Sequence, residues 1–236
     1  MQRDTIGIEE MDRPDCDPDL LERTYAQFPL VNRYVSGWRS VYLKLVRPAL
    51  PRNRTATILD IGCGGGDIAL ALLRWAQADG YRVKVTGIDP DPRAHDFAVR
   101  AVAAAGLGKG ELELRRAMSA ELVAEKEEFD VVISNHVLHH LDPRQLAGIL
   151  ADSQLLAGSL AIHSDINRRR SALLFFGLAT APLAGRSLIR RDGLLSIRRS
   201  YTTEELAALL PGGWHAQAAG PYRNLAIWHA PQRTGP

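Results

Sequence analysis

The 236 residues are 46% apolar and 24% charged, with a formal net charge of +2. That is enough apolar material for one well-cored domain and hardly room for two. Lys plus Arg number 29 against 27 Asp plus Glu, so no cationic surplus exists to hold a polyphosphate by counterion release, and a nucleic-acid partner is disfavoured. The two cysteines, Cys16 and Cys63, lie far apart in unlike contexts and suggest neither a disulfide framework nor a thiolate metal cage.

The first 15 residues are acidic and poor in apolar side chains, unlike the apolar stretch of a secretory signal, so a cytoplasmic location is expected. Residues 1–50 read as an N-terminal helical lid. Asp17 is a natural cap with Pro18 at the first helical position, and Leu20, Leu21, Tyr25 and Phe28 follow at helical spacing. A second helix is predicted from about Asn32 to Leu45.

From Thr55 a strand-type run ends at Ile61 in a glycine-rich turn, and Ile68, Leu70, Leu72 and Trp75 resume helical spacing. The alternation returns with a strand over 82–89, a helix opened by Asp91-Pro92 and stopped by Gly106, and strands over 111–116, 129–135 and 159–165. Asp142-Pro143 opens the helix, to about Leu156, that separates the last two strands. Repeated βα units imply an α/β fold with a mostly parallel sheet covered on both faces.

Residues 166–200 form an irregular insertion expected to cover the substrate. Its apolar stretch, 172–184, is interrupted by Gly177, Thr180 and Pro182 and is short of the roughly 20 residues a membrane span needs. Arg168-Arg169-Arg170 before it and Arg186, Arg190 and Arg191 after it leave a peripheral membrane contact open beside a buried, substrate-covering helix. Three adjacent arginines are more simply read as a solvated edge. Thr202 and Glu205 make a capping box for a helix ending at Pro211, and residues 214–220 and 224–230 make a closing antiparallel hairpin.

A glycine turn between the first strand and first helix lets backbone approach a ligand at the crevice where open α/β sheets bind. Here Gly62-x-Gly64-Gly65-Gly66 is followed by Asp67, where the dinucleotide fingerprint carries its third glycine. An aspartate at a helix N-terminus repels a pyrophosphate and tolerates a zwitterionic or cationic ligand. Asp89 ends the second strand, 27 residues after Gly62, where a carboxylate can accept the ribose hydroxyls of an adenosine. Asp60, just before the turn, adds a second acid.

The ordered strings Ile58–Gly66, Gly87–Pro90 and Phe129–Asn135 resemble three motifs of class I S-adenosylmethionine-dependent methyltransferases. The resemblance covers about residues 55–165 and implies a Rossmann-like seven-stranded sheet closed by the antiparallel hairpin, with residues 51–236 as the methyltransferase domain. It also implies S-adenosylmethionine as cofactor. Gly62 and Gly64 would lie against its methionine part, Asp60 would hold the ammonium and Asp89 the ribose. Cys63 and Pro90 flank these positions, and Met118 and Ser119 match the place that lines the adenine, where the acid common in the family is absent. Asn135 and His136 fall beneath the sulfonium, and Arg33 or Arg223 would meet the cofactor carboxylate or a polar group on the acceptor.

Methyl transfer to oxygen needs an aligned, deprotonated nucleophile. His139 and His140, just beyond the fourth strand, are the candidate catalytic residues for taking a phenolic proton, with His163 at the end of the fifth strand as a rival. No metal is expected: His136, His139, His140 and Asp142 fit no strong ligand template, and Asp142 serves as a helix cap. Ser134-Asn135-His136-Val137 lacks the Asn-Pro-Pro-Tyr-like turn of enzymes that methylate base amino groups. None of the six tyrosines precedes a lysine by four, which excludes a short-chain nicotinamide oxidoreductase. Residues 165–168 and 191–202 are similar to methyltransferases that act beside polyketide synthases making phenolic lipids, which implies a hydrophobic small-molecule acceptor. C-methylation of a quinone precursor and a non-catalytic cofactor-binding protein remain as alternatives, and the oligomeric state is left open.

Overall fold

In the computed structural model residues 1–107 and 110–231 are described, with only the backbone for Tyr34 and Val35. Seven strands form one sheet in the order β3-β2-β1-β4-β5-β7-β6. They are β1 (Ala56–Ile61), β2 (Val83–Ile88), β3 (Leu112–Arg115), β4 (Phe129–Asn135), β5 (Ala157–Ile166), β6 (Trp214–Ala218) and β7 (Arg223–His229). The first five are parallel, and the hairpin adds antiparallel to β5 through β7.

Side chains alternate between two cores, as the pleat requires. Ile58, Val131, Ile133, Leu160 and Ile162 pack with Leu72 and Leu73 of helix α4 (Asp67–Ala78). Leu59, Val132 and Ala161 pack with Leu122 of α6 (Ser119–Ala124) and Leu146 and Leu150 of α7 (Pro143–Leu156). Burial on both faces explains the near-continuous apolar runs of β1 and β4. The expected caps are present: Asp17, Asp91, Asp142 and Thr202 each accept backbone N–H groups at their helix starts.

Two expectations change. Helix α1 runs unbroken over Pro18–Val35, past Pro29, and the chain turns at Gly37 rather than near Asn32. Gly37 has φ +55°, and a Cβ there would stand 2.3 Å from the guanidinium of Arg223. A left-handed residue ends a helix more sharply than an internal proline, which forfeits one hydrogen bond. The following segment comprises α2 (Trp38–Val41), a π turn (Tyr42–Val46) and α3 (Arg47–Ala49). Trp38, Tyr42 and Val46 join the first core, so residues 38–50 are core structure and only the part before Gly37 stands over the carboxyl ends of the strands.

The insertion is helical rather than irregular. It holds α8 (Arg170–Ala179) and α9 (Ile189–Arg199), followed by α10 (Thr203–Leu209). A Cβ at Gly193 would fall 2.4 Å from the Phe176 ring, so a glycine that reads as a helix breaker is the condition for packing α9 on α8. Arg168 is buried, donating to the Ser200 carbonyl at 2.9 Å and pairing with Glu205. It is no part of a solvated edge, whereas Arg169 and Arg170 are exposed. Leu174 and Leu178 are exposed on α8. Among the described residues no helix is long and apolar enough to cross a membrane.

The first residues carry no periodic signal, yet they are fixed. Asp4 N–H donates to the Arg198 carbonyl at 3.0 Å, Arg3 covers the Tyr201 ring at 3.8 Å, and Glu10 and Met11 N–H donate to the Asp192 carboxylate at 2.9 and 3.0 Å. The segment is strapped along α9 by backbone and side-chain contacts that periodicity does not encode.

Candidate functional site

A cavity of about 840 Å³ opens at the carboxyl ends of β1, β2, β4 and β5 and is roofed by the N-terminal segment with α1 on one side and by α8 and α9 on the other. Its floor begins at the glycine turn. Gly62, Gly64 and Gly66 have φ of +69°, +51° and +77°, conformations that side chains with a Cβ resist. The turn is held by Asp89, whose Oδ2 accepts from Gly64 N–H at 2.9 Å while Oδ1 accepts from Asp91 N–H at 2.9 Å. Parallel pairing of Ile61 with both Ile88 and Ser134 brings these loop starts level.

Asp60 lines the cavity at 1% exposure, and neither of its carboxylate oxygens has a hydrogen-bond partner. Burial, then the charges of Asp67 and Asp89, push its carboxyl well above the usual carboxylate range. An orphaned buried acid in a cavity is the complement of a cationic ligand group. A raised folded-state value means that ionised Asp60 weakens the fold at neutral pH, and the folded state gains stability as pH falls through that value. Asp60→Asn is therefore expected to raise the thermal midpoint while weakening a cationic ligand at least ~10-fold, read by paired melting curves and calorimetry.

Cys63 and Pro90 also line the cavity. The Cys63 thiol is turned onto Gly87, where a Cβ would meet its sulfur at 2.9 Å, and burial pushes it well up, so it packs rather than reacts. Asn135 and His136 reach the cavity from the end of β4. Asn135 Oδ1 accepts from Trp38 Nε1–H at 2.8 Å. His136 has φ +60°, its N–H donates to the Ser164 carbonyl at 2.8 Å, and its Nε2 is enclosed without a partner. Burial lowers its imidazole to about 4, so it is neutral near pH 7.

Three expected binding residues are not brought into the lining. Met118 is 54% exposed at the start of α6, and Ser119 donates to Asp152 Oδ2 at 2.6 Å. The α6–α7 contact takes Ser119 and leaves Met118 exposed, on the side where β3 lies two strands from β1 at the far edge of the sheet. Arg33 is exposed on α1, outside the lining, whereas Arg223 lies in it. His163, the rival base, is a core residue: its Nδ1 is 2.7 Å from Ser134 Oγ, and its ring stacks on Trp214 at 5.3 Å.

The histidine pair divides. His139 is fully enclosed, with Nδ1 2.7 Å from Asp165 Oδ1 and Nε2 3.3 Å from Glu9 Oε1, the second an ion-pair contact outside hydrogen-bond alignment. Burial alone would lower its imidazole, but the charge of Asp165, the hydrogen bond to it and the pairing with Glu9 raise it instead. Asp165 and Glu9 are pressed upward by burial and held low by His139, Glu9 also by His140. Both ring nitrogens of His139 thus face carboxylates, which leaves neither open to a phenolic proton. His140 keeps access to the cavity, with Nδ1 2.9 Å from Asp12 Oδ2.

Glu9, His139 and His140 offer ligand atoms within 4.8 Å of one another, and Glu9 Oε1 stands 3.3 Å from His139 Nε2 and 3.9 Å from His140 Nε2. Asp142 is spent on capping α7, accepting from Arg144 and Gln145 N–H at 2.8 Å. Nothing in the local sequence marks Glu9, Asp12 or Asp165 as site residues, except that Asp165 ends the strand beside β4.

Residues 58–155, the span carrying the glycine turn, Asp89 and the β4 end, match a family model described as Methyltransferase domain. This span of the chain is similar to a methyltransferase domain. Curated relatives of this domain include a ubiquinone biosynthesis O-methyltransferase of Ruegeria sp. (strain TM1040), 34% identical over 65% of this chain and 57% of that protein. A second with that name, from Caulobacter vibrioides, is 31% identical over 66% and 58%. The chain spans about half the length of the curated relatives it matches. In fold it is similar to the magnesium protoporphyrin IX methyltransferase of Synechocystis PCC 6803 solved with bound SAH, at 16% identity, with 90% of this chain and 85% of that one covered and a TM-score of 0.54.

Proposed function

We propose that the protein transfers a methyl group from S-adenosylmethionine to an oxygen of a hydrophobic, phenolic or quinol-type small molecule. The observation that carries this reading is the orphaned Asp60 carboxylate beneath a left-handed glycine turn tied to Asp89, at one end of a cavity whose other walls include Phe28, Phe175, Phe176 and Ile197. Asp60 would hold the donor's ammonium and Asp89 its ribose hydroxyls. The name shared by the curated relatives supports an oxygen acceptor of quinol type, and a polyketide-derived phenol has the same chemistry. Residues 1–35, α8 and α9 would act together as the cover that excludes water and aligns acceptor with methyl.

Proton removal falls to His140. In the tautomer that donates Nδ1–H to Asp12, its Nε2 is the acceptor, the arrangement of a carboxylate-oriented base. His140→Gln is expected to lower turnover roughly 100-fold or more with catechol and far less with 4-nitrocatechol, which ionises near neutrality unaided. Equal losses on both phenols would remove His140 from proton transfer. The reading as a whole is tested by calorimetry with S-adenosylhomocysteine and by its release from S-adenosylmethionine in the presence of a phenol panel. Absence of binding would overturn it; binding without turnover would leave a cofactor-binding protein.

A further inference from the structure

The unpartnered buried polar atoms around the cavity fall into two sets of opposite character. At the β1 end stands Asp60, with Asp67 and Asp89 beside it. At the other end stand Arg223 and His136. Arg223 is 9% exposed and lines the cavity, and its Nη1 is buried without a hydrogen bond. Among the described residues no carboxylate forms an ion pair with it, and burial alone accounts for the lowering of its guanidinium. A buried guanidinium without a counter-charge is costly unless an anion completes it.

Position decides whose anion that is. Arg223 opens β7 and pairs with Ile166 of β5, and β5 and β4 stand between it and β1. At about 4.8 Å per strand its Cα lies roughly 14 Å along the sheet from the turn expected to take the donor. The guanidinium folds under Gly37, whose missing side chain makes the room, and it lines the same cavity as His136 at the end of β4. The apolar wall beside it includes Phe175 and Ile166, and the Phe175 and Tyr222 rings are 6.4 Å apart.

Resting on the donor site proposed above, we infer that Arg223, with the unpartnered Nε2 of His136 on the same cavity, forms a subsite for a carboxylate carried by the acceptor, which is therefore a hydrophobic aromatic acid rather than a neutral phenol. The carboxylate gives Arg223 two parallel acceptors, the arrangement a guanidinium fork matches best. The donor's positive sulfonium and the acceptor's negative group would then enter from opposite ends, each drawn to the orphaned charge that complements it.

The test uses the full chain saturated with S-adenosylhomocysteine and compares, by calorimetry, 4-hydroxy-3-octylbenzoate with its methyl ester and with 2-octylphenol. The acid is expected to bind roughly 10- to 100-fold more tightly than either neutral probe. Arg223→Gln should erase that preference with unchanged affinity for S-adenosylhomocysteine, and Arg223→Lys should restore part of it. Equal binding of the three probes by the wild-type protein overturns the inference without recourse to any variant. A variant that loses S-adenosylhomocysteine and keeps the preference for the acid overturns it too, placing Arg223 on the donor. Failure of the wild-type protein to bind S-adenosylhomocysteine would instead strike the underlying donor assignment.

Discussion

Replacing Asp165 with Ala is expected to cost about 3–5 kcal/mol of folding stability, the penalty for stranding a buried charge, and to release the N-terminal segment from the site. Asp165 Oδ1 holds the His139 ring at 2.7 Å, and its Oδ2 accepts the His139 N–H at 2.9 Å. Glu9 reaches the opposite face of the ring and also accepts from Ser196 Oγ at 2.8 Å. Removing Asp165 therefore loosens the turn after β4 and the segment that roofs the cavity in one step. Urea titration of variant and wild type measures the loss, and accelerated proteolysis before Asp17 reports the release. A loss below 1 kcal/mol would show that the cluster is not a fastening.

The same cluster sets a pH signature. His139 is raised to about 10, so its stabilisation is complete below its unfolded value near 6.5 and is lost as pH rises toward 10. Glu9 and Asp165 are lowered to about 2, so theirs is complete above about 4 and is lost as pH falls toward 2. The stability difference between wild type and Asp165→Ala should peak between about pH 4.5 and 6.5 and shrink on both sides. A difference that keeps growing above pH 8 would contradict a protonated His139.

The second large effect lies at Asp89. Asp89→Ala is expected to reduce S-adenosylhomocysteine affinity about 100- to 1000-fold, the loss of charge-assisted bonds to two ribose hydroxyls and of the tether on Gly64. Its folding cost should be small. Burial raises the Asp89 carboxyl despite the N–H groups of Asp91 and Gly64, so the ionised group adds no net stability at neutral pH. Loss of affinity without loss of melting temperature separates a binding residue from a structural one. Unchanged affinity would move the ribose elsewhere.

Much of this protein is legible in its local chemistry. The alternation of buried strand runs with amphipathic helices, the Asp-Pro caps at 17, 91 and 142, the Thr202 capping box and the left-handed glycines at 62, 64 and 66 each depend on a few neighbouring residues. From them follow the α/β fold, the place of the crevice and the two acids that flank it. Gly37 and Gly193 carry no local sign of their roles, because they answer to Arg223 and Phe176, more than 180 and 15 positions away respectively.

Which of several plausible side chains enters the site was decided by tertiary structure alone. Asp165 and Glu9 take up both ring nitrogens of His139, while Asp12 leaves His140 oriented and reachable. Insertion of β7 beside β5 delivers Arg223 to the cavity, while Arg33 remains exposed on its helix and Met118 stays at the sheet's far edge. Local sequence fixes where a strand or helix begins because capping and periodicity act over a few residues. The charge state of a buried histidine and the reach of an arginine depend on groups that the chain brings together only when it is folded.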